Sequence, residues 1–179
     1  MKYAIELYFD QSTEQELMNL AQLVADQKLS MKYLEWKTRS HLTLACFDDV
    51  DERKCVVRLT EFAQSHTQLP AYIGSVGMFT DTRTIFASPI MNDRMFQFQR
   101  ALCEQMEEFD STQYGWYHPN RWVPHCALAL MNEDNEEAFY QASDLILRRF
   151  KKLSGKFTSI GLVKVSFPVE ELFTAGLNQ

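Results

Sequence analysis

His41-Leu42-Thr43-Leu44-Ala45-Cys46-Phe47 overlays without a gap on His125-Cys126-Ala127-Leu128-Ala129-Leu130-Met131, 84 residues further along the chain. The same offset carries Ser75-Val76-Gly77-Met78 onto Ser159-Ile160-Gly161-Leu162. Each histidine segment runs into an acidic cluster, Asp48-Asp49-Val50-Asp51-Glu52 in one case and Asn132-Glu133-Asp134-Asn135-Glu136 in the other. Each cluster opens a helical pattern, where such side chains cap the orphan N–H groups and suit the positive helix end. Upstream, residues 13–28 carry Leu17, Leu20, Ala21 and Val24 on one helix face. They overlay residues 96–109, with Leu102, Met106 and Phe109. A short strand precedes each helix, at residues 3–9 and 84–90.

Each unit reads strand, helix, histidine strand, helix, strand, and a seventh strand near residues 169–177 closes the second. Internal repetition of this kind decides a fold before any single element does. The expected class is α+β: a duplicated bilobal fold, with two small, mainly antiparallel sheets around a central groove and helices on the outer faces. Residues 1–179 then form a single bilobal domain with repeat units of approximately 1–83 and 84–179.

Strand alternation sorts the side chains of the two histidine segments. His41, Thr43, Ala45 and Phe47 are expected on one face, with Leu42, Leu44 and Cys46 on the other. In the second segment His125, Ala127, Ala129 and Met131 oppose Cys126, Leu128 and Leu130. The Leu/Cys face suits helix packing. The small residues on the histidine face leave room in front of the imidazoles, as a cleft requires. A lone strand histidine is ordinarily structural; pairing by symmetry, with matched flanks, makes these two functional candidates.

Composition narrows the partners. An apolar fraction of 46% is that of a globular chain. The net charge of −6 is spread along the sequence and offers no basic stripe for long duplex nucleic acid. No segment approaches the roughly 20 apolar residues of a membrane span. The N-terminal run holds Glu6 and no small-residue cleavage pattern, so it reads as a strand rather than a signal peptide. Cys46, Cys55, Cys103 and Cys126 form no CxxC pair and read as reduced core residues, which points to the cytoplasm.

With Arg39-Ser40-His41-Leu42-Thr43-Leu44-Ala45 and Trp122-Val123-Pro124-His125-Cys126-Ala127-Leu128-Ala129, the chain resembles the 2H phosphoesterase superfamily, also called the 2′,5′ RNA ligase-like family. That family is defined by two His-x-Thr/Ser-x motifs on strands of a duplicated bilobal fold. The resemblance implies an enzyme without metal or cofactor that opens 2′,3′-cyclic phosphates or related phosphodiesters. The substrate would be a small phosphorylated nucleotide or an RNA end; RNA-ligating activity occurs in part of the family, and nothing in these motifs requires it. His41 and His125 would be the catalytic base and acid, in an order the sequence leaves open. Thr43 would hold a phosphate oxygen. Imidazole suits both tasks near neutral pH. The second motif departs from the pattern: Ala127 stands where a Thr or Ser is usual, and a methyl group donates nothing to phosphate. A second reading is therefore a nucleotide- or RNA-end-binding protein with little turnover, and a third is an interaction module that retains only the fold.

Further candidates flank the two motifs. Arg39 shares the face of His41 if the strand extends back two residues, and is a candidate phosphate contact. Trp116, Tyr117 and Trp122 lie in a long aromatic connection, any of them a candidate for stacking on a base, Trp122 being taken as the site residue, with Arg121 able to meet a phosphate. His118 is a spare proton carrier at best, and His66 ends a helix. Thr82 and Arg83 shape a hairpin turn. Two histidines without a carboxylate or cysteine at ligand spacing make a poor zinc site. A monomer is expected.

Overall fold

The computed structural model describes residues 2–109, 115–131 and 135–179. Asn132, Glu133 and Asp134 of the second acidic cluster, and Tyr114 of the aromatic connection, lie outside the described residues. The first repeat supplies β1 (Tyr3–Phe9), α1 (Gln11–Asp26), the short α2 (Lys32–Glu35), β2 (His41–Phe47), α3 (Glu52–Ser65) and β3 (Leu69–Phe79). The second supplies β4 (Thr84–Pro89), α4 (Asp93–Gln105), β5 (Cys126–Leu130), α5 (Glu136–Arg149) and β6 (Leu153–Lys164), followed by β7 (Glu170–Gly176). Asp51 caps α3 through the Lys54 N–H, and Asn135 caps α5 through the Ala138 N–H. These are equivalent positions in the two repeats.

Every strand pairing is antiparallel, in the order β2-β1-β6-β3-β4-β5, with β7 also on β6. The halves exchange strands. β6, from the second repeat, pairs with β1 of the first, whereas β3, from the first, pairs with β4 of the second. β3 and β6 meet along Leu69–Ile73 and Leu153–Phe157, joining both halves into one seven-stranded sheet. The expected pair of small sheets is thus continuous, and the expected repeat boundary near residue 83 would fall inside the β3–β4 hairpin. The turn there carries Arg83 at φ 48°, the left-handed conformation of a tight reversal.

Helices cross between repeats as well: α1 packs on α5 and β5, and α4 on α3 and β2. One main core results, from Ile5, Leu7, Leu42 and Leu44 through Leu59 and Leu102 to Ile160 and Leu162. β1 lies at the centre of its half and is buried along its whole length, Glu6 included. No helix among the described residues is long and apolar enough to cross a membrane. All four cysteines are free thiols, three of them buried.

Both histidine strands carry a bulge at the same place. Ile5 pairs with Ala45 and Glu6 with Thr43, which leaves Leu44 unmatched. Ile85 pairs with Ala129 and Phe86 with Ala127, which leaves Leu128 unmatched. Leu44 and Leu128 are themselves 84 residues apart. A bulge reverses the facing of the residues beyond it. Ala45, Phe47, Ala129 and Met131 therefore enter the main core, against the expectation that they share the histidine face. Cys46 turns instead to a small cluster with Ala4 and Val163.

Candidate active site

Each histidine stands at the mouth of its strand. His41 begins β2, and His125 sits one residue before β5. The two rings are fixed in the same way. The Nδ1 of His41 lies 2.6 Å from the Arg39 carbonyl oxygen, and that of His125 lies 2.8 Å from the Val123 carbonyl oxygen. A carbonyl only accepts, so Nδ1 is the protonated nitrogen in both rings. In the neutral ring the Nε2 is then a bare acceptor, free to take or return a proton. The two edge strands approach each other here: the Cys126 thiol is in hydrogen-bonding contact with the His41 backbone and the Ser40 hydroxyl. His125 lies near enough to His41 to feel its charge.

The surroundings of the rings differ. His125 is edge-on to Phe79, with ring centres 4.8 Å apart, and to Phe86 at 5.4 Å. Burial among them lowers its pKa below the usual 6.5, against the pull of the Val123 carbonyl, and the charge of His41 lowers it further. His41 instead faces a carboxylate, with its Nε2 3.3 Å from Glu6 Oε1. Glu6 is only 5% exposed. Burial raises its pKa above the usual carboxylate range, while His41 and a hydrogen bond from the Tyr8 hydroxyl oppose this.

Thr43 follows two residues after His41 and pairs across the sheet with Glu6. Its hydroxyl contacts the Tyr117 hydroxyl, and its carbonyl accepts the Trp122 indole N–H at 3.0 Å. Trp122 is buried, edge-on to Phe96. It is thus tied to the β2 backbone, and little of the candidate stacking surface is exposed. Arg39 is bound to Glu14 by two N–H···O contacts of 3.0 and 2.9 Å and to Glu171 at 3.4 Å. Its guanidinium lies 4.1 Å above the Tyr8 ring. Placed so, Arg39 lids the Glu6–Tyr8 pair, and its hydrogen bonds go to carboxylates.

A cavity of about 330 Å³ opens at the far end of β2, lined among others by Cys46, Arg100, Tyr117, His118 and Asn120. Neither His41 nor His125 lines it, so His118 faces a different space from the paired imidazoles. His41, Glu6 and His125 come together instead where β2 and β5 meet. Among the described residues no cluster of three or more His, Cys, Asp or Glu side chains is arranged to hold a metal ion.

Glu6, Tyr8, Phe79 and Phe86 were not among the residues expected from sequence. Glu6 alone had a signal, as the one charge within the otherwise apolar Tyr3–Phe9 strand. A charge at the centre of a buried strand is costly unless it has a partner, and so marks a functional candidate.

No curated protein matches the chain by sequence. Among solved structures, E. coli LigT complexed with 3'-AMP is similar at a TM-score of 0.65 and 15% identity, over 99% of this chain and 98% of that one. LigT complexed with phosphate gives 0.60 and 13% over the same shares. TT0787 of Thermus thermophilus gives 0.65 and 16%, again over 99% and 98%. At such identities the likeness is one of fold. The sequence itself matches the family model of the 2'-5' RNA ligase superfamily over residues 11–166, and the chain belongs to that superfamily.

Proposed function

We propose that the groove is the active site of a metal-independent phosphodiesterase that opens 2′,3′-cyclic phosphates, or related phosphodiesters of nucleotides and RNA ends, by two-histidine acid–base catalysis. The observation that carries this reading is the matched anchoring of His41 and His125. Each Nδ1–H is tied to the carbonyl two residues earlier, so each ring keeps Nε2 for chemistry. One ring accepts a proton from water while the other donates one to the departing oxygen, a pairing worth roughly 10²–10⁴ in rate for each group. Small nucleotides suit the site by analogy: related folds have been solved with ATP, 3'-AMP and phosphate bound. Thr43 supplies a hydroxyl beside the histidines. Arg39 and Trp122 serve the site by supporting Tyr8 and β2.

One observation favours a second reading, a binding protein with little turnover. Ala127 gives the second motif no hydroxyl, and that of Thr43 is shared with Tyr117. Incubation with nucleoside 2′,3′-cyclic phosphates in EDTA separates the two. Release of a phosphomonoester supports the enzyme; saturable binding without product supports the binding protein.

A further inference from the structure

The strand exchange makes Glu6 and Phe86 equivalent. Glu6 pairs with Thr43 on one side and Gly161 on the other; Phe86 pairs with Ala127 and Gly77. Each pair of partners, Thr43 with Ala127 and Gly77 with Gly161, is 84 residues apart. The two glycines leave space that aromatic rings fill: an added Cβ would lie 2.5 Å from the Phe86 ring at Gly77 and 2.6 Å from the Tyr8 ring at Gly161. A symmetric scaffold therefore sets a carboxylate beside one histidine and a phenyl ring beside the other.

We propose that Glu6 is a positioning residue that keeps a proton at His41 Nε2, making His41 the acid that protonates the departing oxygen and His125 the base that takes the proton of the attacking water. This rests on the phosphodiesterase reading above. The groups facing His41 are Glu6 and Tyr8 from β1, Arg39 from the preceding loop with its partners Glu14 of α1 and Glu171 of β7, and His125 with the Cys126 thiol from the second motif. Of these, Glu6 alone sets a carboxyl oxygen against Nε2, at 3.3 Å, as an acceptor for a proton held there. Burial raises the Cys126 thiol pKa to about 12, so it carries no charge. His125 faces Phe79, Phe86 and a carbonyl, and burial among these rings lowers its pKa, which favours the neutral ring.

The Glu6–His41 separation fits the role. At 3.3 Å it exceeds the roughly 2.7–2.9 Å of a tight charge-assisted bond, so the proton can turn from Oε1 to a substrate oxygen. In the reaction the water oxygen bonds to phosphorus as its proton passes to His125 Nε2. The scissile P–O bond breaks, and its electron pair and the His41 proton go to the leaving oxygen. His125 ends with the proton that His41 has lost, and exchange with solvent restores both rings.

Two measurements on the full chain test this. In ¹⁵N spectra of the ligand-free protein near neutral pH, His41 should show a protonated Nε2 and His125 a bare one; the reverse would overturn the assignment. The second compares hydrolysis of thymidine 3′-(4-nitrophenyl phosphate), whose leaving group needs no acid, with that of its methyl ester. His41→Ala should lose at least about tenfold less activity on the nitrophenyl ester than on the methyl ester, whereas His125→Ala should lose equally on both. Glu6→Gln should follow the His41→Ala trend at smaller size and move the alkaline limb of the pH profile to lower pH. Equal losses on both esters, or an unmoved limb, would remove Glu6 from the role. Absence of wild-type turnover on any phosphodiester would instead remove the phosphodiesterase reading, while the ¹⁵N spectra would still decide where the proton sits.

Discussion

Thr43 and Ala127 occupy the same place, two residues beyond their histidines and directly before the matched bulges at Leu44 and Leu128, and only Thr43 carries a hydroxyl. Their cross-strand neighbours differ to match, Glu6 beside Thr43 and Phe86 beside Ala127. The first motif has polar neighbours and the second apolar ones. At the two motifs the backbone repeats itself down to the bulge, and the side chains around it differ.

Restoring the missing hydroxyl should help. Ala127 is half-buried, and Ala127→Thr adds a donor where the first motif already has one. Loss of such a donor costs roughly 10²–10³ in rate, so its gain at an imperfectly tuned position should raise kcat/KM on a cyclic phosphate by about tenfold. Steady-state kinetics would check this. An unchanged or lower value would mean that the phosphate sits against Thr43 alone.

The pH profile should show the apolar setting of His125. Its lowered pKa keeps it a competent base below the ordinary histidine value of about 6.5, so the acidic limb of kcat/KM should fall below that pH. Phe79→Ala opens the apolar wall and should move the limb back up. The same shift affects stability. The unfolded chain binds this proton more readily than the folded one, so the contribution is present above about 6.5 and is lost as pH falls through the folded value. A limb that ignores Phe79→Ala would contradict the assignment.

Asp10 offers a stability test remote from the chemistry. Its carboxylate caps α1 through the Thr13 N–H at 3.1 Å and accepts the Lys156 N–H at 2.6 Å, tying the first helix to β6. Burial pushes its pKa up, but hydrogen bonds from Ser12, Lys156 and Thr13 outweigh this and hold it at about 2, below the usual 3.8. Stability from this group is present above 3.8 and lost as pH falls through about 2. Asp10→Ala should cost about 2 kcal/mol in denaturant unfolding at pH 7, and the deficit should shrink between pH 4 and 2. A deficit constant with pH would leave the lowered pKa without support.

The two histidine segments were legible because they are written twice. The offset of the histidine segments located β2 with β5, β3 with β6 and the caps at Asp51 and Asn135, and the Leu42/Leu44 face packed as alternation required. Alternation failed beyond Leu44 and Leu128, because a bulge depends on the register of the partner strand, which no local pattern contains. The exchange of β3 and β6 was hidden for the same reason, as was the burial of Trp122 behind β2. Glu6 was visible as a misplaced charge, but only the pairing of β1 with β2 shows that it meets His41.

That His41 and His125 share one phosphodiester-cleaving site can be tested in a single assay. The quantity to measure is the rate of nucleoside 2′,3′-cyclic phosphate opening, in EDTA, by the wild-type chain, His41→Ala and His125→Ala, with folding of each verified by thermal unfolding. The shared site requires metal-independent turnover that each substitution lowers by at least about 10²-fold. Wild-type rates in either folded variant would contradict it.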